Sequence, residues 1–139
     1  MKVFFDTNVY VAEALLGGAA EQMLSTTALA RWKILSSNYV LEETERVLTE
    51  KFGFSRRLGR LTRDRVRRRA NMVVSRESRH VVPHDPTDSP ILHAALAAGA
   101  DWLVTNDSHL LAMNPYESLR IISMTEYFQL LIDEGHIAS

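Results

Sequence analysis

The chain has 139 residues, 46% of them hydrophobic and 24% charged, proportions that suit one globular domain (residues 1–139) with a sizeable core. It has no cysteine, which excludes disulfides and thiolate metal sites, and no apolar run approaches the roughly 18 residues of a membrane span. The net charge of −1 conceals a split. Residues 51–70 hold nine basic residues and one acid, a net +8, while the rest of the chain holds seven basic and sixteen acidic residues, a net −9. Such a split suggests a polyanionic partner with a cation to bridge to it.

The opening "KVFF" (2–5) is short, apolar and β-prone, and predicts a strand ending at Asp6. It is too short, and too soon interrupted by an acid, for a signal peptide, so the expectation is a soluble cytoplasmic protein. "NVYVAEALL" (8–16) predicts a helix stopped by Gly17-Gly18, and residues 19–31 a second helix. "WKILSS" (32–37) predicts the second strand. In the helix that follows, apolar residues recur at helical spacing, Ser37 or Asn38 is the N-cap, and Gly53 marks the end.

The arginine-rich stretch 55–77 predicts a helical region with a candidate break near Gly59; as a plain solvated helix it would turn Leu58, Leu61, Val66 and Ala70 inward, while its unbalanced charge favours binding a polyanion. "HVVP" (80–83) predicts a third strand. "DSPILHAALAAGA" predicts a helix capped by Asp88 or Ser89, with Pro90 in its first turn and Gly99 at its end. "DWLVT" (101–105) predicts a fourth strand, "DSHLLAM" a short helix, "LRIIS" (119–123) a fifth strand, and "MTEYFQLLIDEG" a closing helix. This alternation argues for an α/β fold, a parallel sheet covered on both faces, with ligands at the carboxyl ends of the strands.

Asp6 and Asp107 each follow an apolar strand, and Asp88 heads the helix returning to the fourth, which puts all three on one sheet edge. A fourth acid comes from "LEETE". Stepping about 100° per residue from Val40, Glu42 falls about 160° from the apolar centre, while Glu43 and Glu45 lie about 100° from it on opposite flanks. The wheel does not choose between those two. Gathered carboxylates repel unless a hard cation such as Mg²⁺ or Mn²⁺ joins them. Beside a basic patch, that chemistry suits hydrolysis of a nucleic-acid phosphodiester. Glu13, on the first helix, could approach the site, but the favoured reading leaves it outside.

These blocks resemble the PIN domain family, small metal-dependent nucleases that include the VapC-like toxins of toxin–antitoxin pairs. "VFFDTNVYV" resembles its opening strand with Asp-Thr-Asn. "LSSNYVLEETERVLTEKF" resembles the helix that starts after a serine and carries the catalytic glutamate. "DPTDSPILHAALAAGADWLVTND" resembles the third block, from an Asp at a helix head to a strand ending in Thr-x-Asp.

The resemblance implies a three-layer α/β/α sandwich around a mainly parallel sheet of about five strands. It implies Asp6, Glu43, Asp88 and Asp107 as catalytic, metal-binding acids, with Glu43 chosen because the family's glutamate lies six residues after the serine. Thr7, Asn8 and Thr105 match supporting positions. His109 stands where many members carry a further acid, and Asn106 where glycine is frequent. The implied activity is a Mg²⁺- or Mn²⁺-dependent endoribonuclease, with a cognate antitoxin and a homodimer common in the toxin subgroup. Arg56, Arg57, Arg60, Arg63, Arg67 and Arg68 are the expected contacts to the RNA backbone or to an acidic antitoxin tail. The alternative is a PIN-like protein that binds RNA or a partner with weak or no nuclease activity.

Overall fold

The computed structural model describes residues 1–73 and 89–138. Its elements are β1 (Lys2–Phe5), α1 (Thr7–Leu16), α2 (Gly18–Leu29), β2 (Lys33–Ser37), α3 (Asn38–Glu50), α4 (Arg56–Arg69), β3 (Asn71–Val73), α5 (Pro90–Ala97), β4 (Trp102–Val104), α6 (Ser108–Leu111), β5 (Arg120–Ile122) and α7 (Met124–Asp133). The strands form one parallel sheet in the order β3-β2-β1-β4-β5, flanked by helices. The expected α/β architecture therefore holds, with all pairings among the five strands parallel.

β1 is central, and its composition says why. Val3, Phe4 and Phe5 are fully buried, as a strand covered on both faces requires. Phe4 pairs with Leu35 of β2 on one side and Leu103 of β4 on the other. From β1 the chain runs outward through β2 to β3, then returns to the opposite side of β1 as β4. The order reverses between β1 and β4, and the carboxyl ends at such a switch point open into a crevice.

The arginine-rich segment departs from expectation. The helix ends at Arg69 instead of continuing to residue 77. Ala70 turns to φ −111°, ψ 152°, and Asn71–Val73 joins the sheet beside β2. Once the chain reaches the exposed edge of β2, ladder hydrogen bonds outweigh helical continuation, and Asn71 adds a bond from its amide to the Ile34 carbonyl at 3.3 Å. Leu58 and Leu61 also face outward, about half exposed, while Val66 is buried. The strand expected at 80–83 lies outside the described residues. No helix among the described residues is long and apolar enough to cross a membrane.

Candidate functional site

Asp6 and Asp107 lie just beyond the carboxyl ends of β1 and β4, the two strands that flank the switch point. Each caps the helix that follows its strand. Asp6 Oδ1 accepts from the Thr7 N–H at 2.6 Å, and Asp107 Oδ1 accepts from the N–H groups of His109 at 2.8 Å and Leu110 at 3.4 Å. Thr105, fully buried, ties the two together. Its hydroxyl donates to Asp6 Oδ2 at 2.6 Å and accepts from the Asp107 N–H at 3.0 Å. One hydroxyl thereby links the Asp6 carboxylate to the backbone that carries Asp107.

Glu43 reaches the same place from α3, which Ser37 caps through a bond from the Val40 N–H. Glu43, Asp6 and Asp107 line one groove of about 560 Å³ with Thr7, Asn8, Tyr39 and Ser89. Its other wall is apolar, built from Val11, Ala12, Leu15, Leu16, Val47, Ile91 and Leu110. Glu45, the alternative on the helical wheel, points to α4 and pairs with Arg63 at 3.0 Å. The tertiary packing thus places Glu43 at the groove and Glu45 away from it.

Electrostatics mark Asp6 as the strained member. Burial pushes its carboxyl from 3.8 up to about 6, the charges of Glu43 and Asp107 add to the rise, and the bonds from Thr105 and Thr7 oppose it. Among the described residues no lysine or arginine pairs with Asp6, so none of them offsets its charge when ionised. Nearby, the buried Thr7 Oγ1 and Asn8 Oδ1 have no hydrogen-bond partner among the described residues. An all-oxygen donor set with orphaned oxygens and an uncompensated Asp6 suits a hard divalent cation. No three acidic or histidine side chains among the described residues form a complete cation cage. Asp88 lies outside those residues, and its chain neighbour Ser89 both lines the groove and caps α5.

Sequence reasoning misses two partners of Glu43, one of which, Tyr39, lines the groove. Tyr39 donates from its hydroxyl to Glu43 Oε2 at 2.6 Å, and Arg46 Nη2 stands 3.7 Å from the same oxygen. They lie four residues before and three after Glu43, so helical spacing alone could have flagged them. Burial and the bond to Glu43 push the Tyr39 phenol up to about 12, which keeps it a donor. His109 is exposed on α6, and it gives its backbone N–H to Asp107. Asn106 accepts from the Met124 N–H at 3.1 Å, joining this turn to the start of α7.

Glu13 does not join the acids. It is buried and takes a two-bond clamp from Arg69, at 2.6 and 2.8 Å, with Arg65 at 3.9 Å. The arginines of α4 thus divide by role. Arg63, Arg65 and Arg69 hold the helix to α3 and α1, whereas Arg56, Arg57, Arg60, Arg67 and Arg68 are exposed.

Residues 2–109 match the family model described as PIN domain. The chain belongs to the PIN domain family. Proteins of this family are typically metal-dependent nucleases. The matched span of this PIN domain includes every residue lining the groove except Leu110. Among solved structures, the crystal structure of VapBC2 from Rickettsia felis bound to a DNA fragment from their promoter matches with a TM-score of 0.63 and 17% identity. The match covers 88% of this chain and 98% of that one, and at that identity it shows the shared fold. No curated protein matches the chain significantly.

Proposed function

We propose that this PIN domain is a Mg²⁺- or Mn²⁺-dependent endoribonuclease and the toxin of a toxin–antitoxin pair. The observation that carries the nuclease reading is the convergence of Asp6, Glu43 and Asp107 on one groove at the switch point, with Asp6 buried and uncompensated. Asp6, Glu43, Asp88 and Asp107 would hold the cation. When bound, it supplies Lewis acidity, lowering the pKa of a water and offsetting negative charge at a phosphoryl group.

The chain's own groups do the positioning. Thr105 fixes Oδ2 of Asp6 and the backbone of Asp107 together, and the Thr7 N–H fixes Oδ1. Pre-set acids need no rearrangement as the phosphodiester arrives. The exposed arginines of α4 supply contacts to the RNA backbone, which carry affinity and register and leave sequence unread. The similarity to VapBC2 supports a protein antitoxin, for which the same arginines offer an acid-binding surface. A homodimer acting in the cytoplasm completes the reading.

The test is cleavage of varied single-stranded and structured RNAs with Mg²⁺ or Mn²⁺, compared with chelator and with Asp6→Asn. Metal-dependent cutting that the variant loses supports the enzyme. A folded wild type that cuts nothing with either metal refutes it and leaves an RNA- or partner-binding PIN domain, the reading that His109 in place of a further acid favours. The toxin claim is tested by growth. Expression should arrest it, and the product of an adjacent small gene should relieve the arrest.

A further inference from the structure

We propose that Tyr39 is a substrate-binding residue of this site, its ring receiving a nucleobase next to the phosphate that the acids attend. The inference rests on the ribonuclease reading and adds a base contact to it. Tyr39 stands in the first turn of α3, 40% exposed, and lines the same groove as Asp6, Glu43 and Asp107. An exposed tyrosine on a helix ordinarily moves among rotamers. Here the hydroxyl bond to Glu43 Oε2, at 2.6 Å, ties the side chain to an acid of the groove. With its polar end engaged, the partly exposed ring is held at the groove that Tyr39 lines.

The rest of the groove fits that occupant. Beyond the acids its wall continues as Val11, Ala12, Leu15 and Leu16 of α1, with Leu15 and Leu16 themselves exposed. A polar end suited to a phosphate therefore adjoins an apolar stretch suited to a base. Unstacked bases of single-stranded RNA are recognised by stacking on aromatic rings, and the contact tolerates any base because each has a π face. A fixed ring also loses little freedom on binding, which favours it as an anchor.

The experiment compares Tyr39→Phe with Tyr39→Leu. Both remove the hydroxyl, so the difference between them isolates the ring. In steady-state cleavage of a short single-stranded RNA, KM for Tyr39→Leu should exceed that for Tyr39→Phe by roughly five- to a hundredfold, the range expected for one stacked base. A second measurement does not depend on turnover. RNAs carrying 2-aminopurine at successive positions are bound to the Asp6→Asn protein, alone and combined with each Tyr39 substitution. One position should be quenched with Tyr39 or with Tyr39→Phe, and released with Tyr39→Leu. Equal KM values, or emission that does not differ between the two variants, overturns the assignment while leaving the nuclease intact. A wild type that neither cuts nor binds RNA overturns the ribonuclease reading, and this inference with it.

Discussion

In the metal-free protein, Asp6→Asn should become increasingly stabilising as pH rises. Asp6 is 5% exposed, and burial with Glu43 and Asp107 nearby pushes its carboxyl from 3.8 up to about 6. The unfolded chain therefore releases this proton first. Between about pH 4 and 6 the folded state binds more protons than the unfolded state, so stability falls as pH rises, and above about pH 6 the full penalty is present. The gap from 3.8 to about 6, at about 1.36 kcal/mol per pKa unit, amounts to roughly 3 kcal/mol. About 2.5 kcal/mol of it develops between pH 4 and pH 8. Asparagine is neutral throughout and lacks the penalty. Its amide nitrogen cannot accept the Thr105 hydroxyl, but that loss, about 1 kcal/mol, does not vary with pH. Urea unfolding in chelator, followed by Trp32 and Trp102 fluorescence, should show the variant gaining about 2.5 kcal/mol on the wild type from pH 4 to pH 8. A difference that stays flat over that range refutes the picture of a buried, uncompensated carboxylate.

Adding Mg²⁺ at pH 8 should raise the wild type's stability, by about 2.7 kcal/mol at a hundred times its Kd, and leave Asp6→Asn unmoved; an equal response in both proteins places the cation elsewhere. Glu13→Gln strips Arg69 of its carboxylate clamp inside a largely buried contact, and should cost about 2–4 kcal/mol in urea unfolding, a loss that Arg69→Met in the same chain partly recovers. Gly59→Ala, ordinarily worth about 1 kcal/mol of gained helix stability, should instead lower the melting temperature, because the new methyl would meet Thr49 Cγ2 at 2.7 Å; Thr49→Ser should relieve the clash. In RNA binding, Arg67→Ala with Arg68→Ala should flatten the dependence of log K on log salt by about 0.7 for each phosphate that is no longer neutralised. Arg63→Ala should leave that slope unchanged, since Glu45 already holds the side chain.

Much of this site could be read along the chain because its parts are local. An apolar run that ends in an acid places Asp6 and Asp107 at strand ends, whatever the rest of the molecule does. Ser37 announces the start of α3, and Pro90 the first turn of α5, through caps formed by neighbouring residues. The same local reasoning erred at residues 70–73, where arginine-rich helical character gave way to a sheet edge that only the assembled β2 provides.

Which acids share a groove was decided by packing. On the helical wheel Glu43 and Glu45 are symmetric, and no property of α3 alone separates them. The close approach of α4, with Gly59 against Thr49 and Glu45, assigns one flank of α3 to Arg63 and leaves the other facing Asp6. The same packing turns a run of like charges into structural arginines and exposed ones, and draws Glu13 away from the groove acids. Strand ends and caps follow from interactions a few residues apart, which the chain spells out in order. The partners of a charged side chain follow from surfaces brought together across tens of residues, and those exist only once the helices have docked on the sheet.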